Sequence, residues 1–109
     1  MSLSQHEKKR LRTIGHHLKP VLIFGDQGLT EGFAEELNRR LEDHELIKVK
    51  INAETRDERK DVIEALCDRA GADLVQRIGN IALLYRPTGK PDPRLSNILR
   101  AQQTGATGK

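Results

Sequence analysis

Residues 21–52 read VLIFGDQGLTEGFAEELNRRLEDHELIKVKIN, and the changing pattern along this stretch predicts a strand, a helix and a second strand. Residues 21–24 are continuously apolar and are followed at once by glycine, which is typical of a buried strand. Thr30 is a suitable N-cap for a helix in which apolar residues recur every four positions. Residues 45–52 alternate between apolar and polar side chains, as in a half-buried strand. A strand–helix–strand unit of this kind favours parallel pairing of its two strands.

The flanking sequence predicts a helix before this unit, and a further helix and a hairpin after it. Ser4 and Glu7 form a capping-box pattern for a helix over residues 4–17, which Pro20 closes. A third helix spans residues 57–70, and residues 72–78 and 81–86 form a hairpin around Gly79-Asn80. The predicted fold is therefore a single compact α/β domain of order α-β-α-β-α-β-β, in which helices pack against a mixed four-stranded sheet.

The proline-rich segment that follows the hairpin marks the expected end of the domain. Residues 87–93 read PTGKPDP, which opposes regular structure, and residues 95–103 predict at most a short helix. We expect the domain to cover residues 1–87, and residues 88–109 to form a basic, flexible tail.

Length and composition restrict the class of protein. A chain of 109 residues fits one domain and is too short for a large enclosed active site. Its 36% hydrophobic and 32% charged residues suit a soluble protein, and it has no apolar run long enough to cross a membrane. The sequence shows no secretory signal, and the single Cys67 cannot form an internal disulfide, so we expect a cytoplasmic protein.

Charge is distributed unevenly along the chain. Residues 1–20 contain five basic residues against one acidic residue, as do residues 86–109, whereas the middle carries a net charge of −5. This asymmetry fits a polyanion that meets the two ends of the chain. It fits equally a small protein whose charged ends keep it soluble.

The histidines and carboxylates do not form a recognisable catalytic or metal-binding constellation. His16 and His17 lie about 100° apart on a helix, which does not suit joint metal ligation. His44 falls at the end of the second helix, where a histidine is favourable as a simple cap. The spacings of Walker and Rossmann nucleotide sites are also absent. We therefore expect no enzyme activity, no cofactor and no metal.

The loop Gly25-Asp26-Gln27-Gly28 is a candidate phosphate contact. Glycines allow a ligand to approach the backbone, and the N-terminus of the following helix offers free amide groups to an anion. The pattern alone is weak, because about one Gly-x-x-Gly is expected by chance in a chain with 9 glycines. Its position between a buried strand and a helix start carries the inference.

Basic side chains supply the other candidate contacts to a nucleic acid. Lys9, Arg12 and His16 share one face of the first helix, and Lys19 follows it. Lys48, Lys50 and Arg86 are weaker candidates on an exposed face of the sheet. Aromatic residues make up only 3% of the chain, which argues against a base-stacking platform and favours recognition through phosphates and shape.

Several strings resemble bacterial YhbY-type proteins, which consist of a single CRM domain, the RNA-binding module also found in chloroplast splicing factors. These strings are LKPV at residues 18–21, GDQGLTEG at 25–32, HELIKVKI at 44–51 and LYRP at 84–87. The resemblance implies a fold similar to the C-terminal domain of bacterial translation initiation factor three. It also implies RNA binding, association with precursors of the large ribosomal subunit and a role in ribosome maturation.

In CRM domains the Gly-x-x-Gly loop is compared with the phosphate-clamping loop of KH domains, and this role carries over to Gly25 and Gly28. Asp26 departs from the basic residue common in KH loops. Its carboxylate either faces the phosphate position or turns away to accept a backbone N–H. We expect any phosphate contact here to come from the backbone rather than from side-chain charge.

A second functional hypothesis belongs to a different class. The second and third helices are rich in acidic residues and could bind a basic partner such as a ribosomal protein. The domain would then be a protein-docking module, with RNA contact incidental.

Overall fold

The computed structural model describes residues 3–104. In three of its helices, a capping residue determines where the helix begins. Helix α1 (Gln5–Gly15) starts at the predicted capping box, in which Ser4 and Glu7 exchange hydrogen bonds. Thr30 caps α2 (Glu31–His44), and Thr55 caps α3 (Arg56–Ala70). In each case the hydroxyl accepts a backbone N–H that the helix itself leaves unpaired.

Four strands lie between and after these helices, and a fourth helix follows them. The strands are β1 (Pro20–Phe24), β2 (Leu46–Ile51), β3 (Asp73–Ile78) and β4 (Ile81–Tyr85), and the last helix is α4 (Asn97–Thr104). The sheet order is β1-β2-β4-β3, with β1 and β2 parallel and the other pairs antiparallel. The predicted mixed four-stranded α/β fold is confirmed.

Both faces of the sheet carry a hydrophobic cluster. On one face, α2 and α3 cover Ile47, Val49 and Ile51 of the central strand β2. On the other face, Leu46 and Leu83 pack with Leu11 of α1 and with α4. Lys48 and Lys50 alternate with the buried residues of β2, so they point to the α1 side of the sheet.

The C-terminal segment corrects the expectation of a flexible tail. Over residues 88–104 the chain returns to the α1 side of the sheet, where Ile98 and Ala101 of α4 are buried. Asn97 Nδ2 donates to Leu46 O at 2.7 Å, and His44 Nδ1 donates to Leu95 O at 2.8 Å. The prolines end the hairpin but do not prevent the packing of α4, because the segment is held by these long-range hydrogen bonds. Residues 105–109 lie outside the described part of the chain.

Glu45, between α2 and β2, is the centre of this attachment. Its carboxylate accepts hydrogen bonds from Ser96 Oγ at 2.7 Å and from Thr88 N at 2.9 Å. Both Glu45 and Ser96 are buried. Glu45 also has a φ of 64°, a backbone conformation that costs a residue with a side chain about 1–2 kcal/mol. The hydrogen bonds offset this strain and fix the point at which the helix turns into the central strand.

Candidate nucleic-acid interface

The C-terminal half of α1 and the sheet enclose a basic cleft of about 510 Å³. Leu11 and Ile14 anchor α1 on the sheet, which leaves the opposite, basic face of the helix towards the cleft and solvent. The residues that line the cleft are Lys9, Arg12, Thr13, Gly15, His16, His17, Lys48, Gln76 and Ile78. None of these is acidic, so the cleft offers an anion several positive charges without a repelling carboxylate.

A glycine at the end of α1 allows the helix to lie close over the sheet at this cleft. Gly15 lies against Leu83, and a Cβ atom at this position would come within 2.6 Å of the Leu83 side chain. Glycine therefore allows the last turn of α1 to approach β4 closely. Helix α1 ends at Gly15 rather than at the predicted His17, and His16 forms its C-cap.

The two lysines of β2 lie in different environments. Lys48 Nζ donates a hydrogen bond to Leu18 O at 3.0 Å, which ties the α1–β1 connection to the sheet and holds the ammonium group at the floor of the cleft. Lys50 is exposed and lies on the same face, level with Ile23 of β1. Lys19 is exposed next to Pro20, which is level with Lys48.

The glycine loop lies beyond this cleft, at the carboxyl end of β1. Gly25 is two residues past Ile23, about 7 Å along the strand. Gly28 N donates to Gly25 O at 3.1 Å, and Gly28 has a φ of 77°, so the loop is a tight turn. Asp26 and Gln27 are exposed, and their side chains make no hydrogen bond or ion pair within residues 3–104. Asp26 therefore does not cap a backbone N–H there, which was one of the two alternatives.

Arg86 lies on the α2 and α3 side of the sheet, so the expectation that it belongs to an exposed face of the sheet is wrong. Its guanidinium donates to Asn38 Oδ1 at 2.7 Å, to Ala70 O at 2.9 Å and to Asn38 O at 3.2 Å. It also pairs with Glu42 Oε1 at 3.1 Å, and only 17% of the side chain is exposed. Because its donors are engaged within the domain, Arg86 fastens the end of β4 to the two helices.

The structure thus brings together four of the basic candidates and adds residues that the pattern did not single out. Lys9, Arg12, His16 and Lys48 meet in one cleft. Lys19 lies next to β1 and Lys50 on β2, and the glycine loop lies beyond the cleft. Gln76 and Ile78 were missed, because their place opposite α1 follows from the pairing of β3 with β4, which the sequence pattern does not determine.

The surroundings of Cys67 favour its neutral thiol form. Burial, with smaller effects from Asp73, Asp68 and Glu64, raises the pKa of the Cys67 thiol to about 11. It remains protonated at neutral pH and packs at the edge of the core. Within residues 3–104 no group of three or more histidine, cysteine or carboxylate side chains is placed to hold a metal ion. No helix in this range is long and apolar enough to span a bilayer.

A known protein family matches the part of the chain that contains α1 to α3 and all four strands. The model of the CRS1/YhbY (CRM) domain matches residues 3–86, from the start of α1 to the residue after β4. The chain belongs to the CRS1/YhbY (CRM) domain family. Both the cleft and the glycine loop therefore lie inside the CRM domain, whereas α4 follows it.

Similar proteins come from several bacteria. A Pseudomonas aeruginosa protein named "Probable RNA-binding protein PA4753" is 54% identical over 100 residues, covering 92% of this chain and 96% of its own length. The Haemophilus influenzae protein named "RNA-binding protein" is 42% identical over 87 residues, covering 80% of this chain and 88% of its own. The solution structure of SAV1595 from Staphylococcus aureus superposes with a TM-score of 0.72 at 30% identity, covering 82% of this chain and 93% of that one.

Proposed function

We propose that this CRM protein binds RNA without catalysis, associates with precursors of the large ribosomal subunit in the cytoplasm and assists their maturation. The observation that carries RNA binding is the basic cleft between α1 and the sheet, whose lining contains no acidic residue. The names of the Pseudomonas and Haemophilus relatives support the same partner. The ribosomal role follows from the resemblance of the chain to YhbY-type proteins.

Phosphates would follow a path along the α1 side of the domain. Lys9, Arg12 and His16 line one wall, and Lys48 lies at the floor. Lys19 and Lys50 extend the positive charge towards β1, and the backbone of Gly25–Gly28 lies farther along. Since Asp26 is exposed in this loop, close contact there must come from backbone amides and the α2 N-terminus rather than from side chains.

RNA affinity should depend strongly on salt. If four to six phosphates are neutralised, the logarithm of the association constant for single-stranded RNA should fall with the logarithm of salt concentration at a slope of about −3 to −4. Fluorescence anisotropy of a labelled RNA, titrated at several salt concentrations, measures this slope. An affinity that does not change with salt would contradict binding through the cleft.

Association with large-subunit precursors is tested in cell lysates. We expect tagged protein to sediment with those precursors in a sucrose gradient and to leave these fractions after brief ribonuclease treatment, because RNA holds it there. Sedimentation only at the top of the gradient, in cells rich in precursors, would refute the ribosomal role.

The glycine loop can be tested at Gly25 without straining the fold. A Cβ atom at Gly25 meets no other atom within 4 Å, whereas Gly28 has a positive φ that disfavours a side chain. Gly25→Asp should weaken RNA binding by about tenfold through repulsion of phosphate, with the melting temperature unchanged. Gly25→Ala is the matched control and should bind nearly as the wild type does. Equal RNA affinity of the folded Asp variant would show that the loop does not contact phosphate.

The alternative of a protein-docking module is less favoured by the ion pairs of α2. On α2, Glu36 pairs with Arg39 and Arg40, and Glu31 pairs with Arg69 of α3. Glu42 pairs with Arg86. Much of the negative charge on α2 is therefore balanced inside the domain, whereas Lys9 and Arg12 of the cleft form no ion pair within residues 3–104.

A further inference from the structure

Beside the basic cleft, the sheet carries a mostly apolar row of side chains that α1 and α4 leave uncovered. The strand registers align Ile23, Lys50, Ile81 and Ile78 across all four strands. Side chains level with one another on neighbouring strands point to the same face of a sheet, here the α1 side. We refer to these four residues as the isoleucine row.

The isoleucine row is unusually open for side chains of its kind. Ile23 and Ile78 are each 60% exposed, and Ile81 is partly exposed. One row further towards α1, Leu83 is only 3% exposed because the helix covers it. Single exposed apolar residues need no explanation, but three isoleucines aligned on one face of a sheet, with Lys50 between them, indicate a surface that binds something.

The surroundings of the row favour a nucleic acid over a protein or a lipid surface. Lys50 belongs to the row, and Ile78 also lines the basic cleft with Lys48 and Gln76. An apolar floor beside a cationic wall matches a nucleotide, whose base is largely apolar on its faces and whose phosphate is negative. The Gln76 amide can both donate and accept, which suits the edge of a base.

We infer that the isoleucine row receives nucleobases of single-stranded RNA while the basic face of α1 holds the phosphates. This inference rests on the proposed RNA binding and extends it from the phosphate backbone to the bases. The row spans about 14 Å across four strands, which exceeds the size of one base. Apolar side chains can stack on bases where aromatic rings are lacking, so the low aromatic content does not oppose this role.

The test compares RNA with and without bases. The probes are a uridine oligomer of about 12 nucleotides and an abasic oligomer of the same length and charge. The wild type should bind the uridine oligomer about tenfold more tightly than the abasic one. Ile23→Ala with Ile78→Ala should remove this preference while leaving the salt dependence unchanged, because the phosphate contacts remain.

Leu74→Ala is the matched control, since Leu74 lies on β3, is 37% exposed and points to the α3 side of the sheet. It should retain the preference for bases. If the wild type binds both oligomers equally, or the double variant keeps its preference, the inference is overturned while the proposed RNA binding stands. If the wild type binds neither oligomer, both the inference on bases and the proposed RNA binding are wrong. A double variant that loses self-association in sedimentation rather than base preference would identify the row as a contact between copies of the chain, and would also overturn the inference.

Discussion

Reversing two charges on α1, Lys9→Glu with Arg12→Glu, should reduce the affinity for single-stranded RNA by about 100-fold or more at moderate salt. Both side chains line the same wall of the cleft, so the change replaces two attractive charges by two repulsive ones. Both point away from the buried Leu11 and Ile14, so the fold should be retained. Anisotropy titration and a thermal melt measure the two effects.

A matched control is available on α3. Arg56 and Lys60 are both exposed and lie one helical turn apart, on an element that packs on the opposite face of the sheet. Arg56→Glu with Lys60→Glu changes the net charge by the same amount and should leave RNA affinity within about threefold of the wild type. If both double variants lose affinity equally, only overall charge matters and the cleft is not the site. If the α1 variant still sediments with large-subunit precursors, the result would support the alternative that the domain is a protein-docking module.

Removal of the Arg86 side chain should destabilise the protein without weakening RNA binding. Arg86→Ala leaves the carbonyl of Ala70 and the polar groups of Asn38 without their donor and should lower the free energy of unfolding by about 2–4 kcal/mol. Arg86→Lys keeps the charge but cannot reproduce the several bonds of the planar guanidinium, so an intermediate loss is expected. Urea denaturation measures the stability, and RNA affinity should stay within about twofold.

The opposite result would reinstate Arg86 as an RNA contact. In that case Arg86→Ala would retain its stability and lose RNA affinity as steeply as the α1 double variant. The sequence pattern placed Arg86 on an exposed face of the sheet, whereas the structure packs its side chain against α2 and α3.

Local rules predicted much of the fold because they act over a few residues. The Ser4 cap, the Thr30 cap and the alternation of β2 depend only on neighbours along the chain, and the structure contains all of them. The mixed sheet followed from the lengths of the connections between strands. The family resemblance covered the same elements and is confirmed.

The errors arose where a residue's place depends on distant pairing. Arg86 was expected on an exposed face of the sheet, but its side chain is held by partners that lie more than 40 positions away in α2 and 16 positions away in α3. The buried contact of Ser96 with Glu45 joins positions 51 residues apart, so the polar segment before α4 appeared loose in the sequence. The isoleucine row exists only once four strands are in register, and no single strand shows it.

The attachment of the C-terminal segment at Glu45 affects which residues must be included when the domain is transferred to another protein. A fragment that stops at residue 86, where the family match ends, keeps all four strands but removes the Ser96 and Thr88 donors from a buried carboxylate. It also uncovers the α1 side of the core, which α4 closes together with the helix. A domain moved into another protein should therefore include residues up to 104, because the segment needed for a stable fold extends beyond residue 86, where the family match ends.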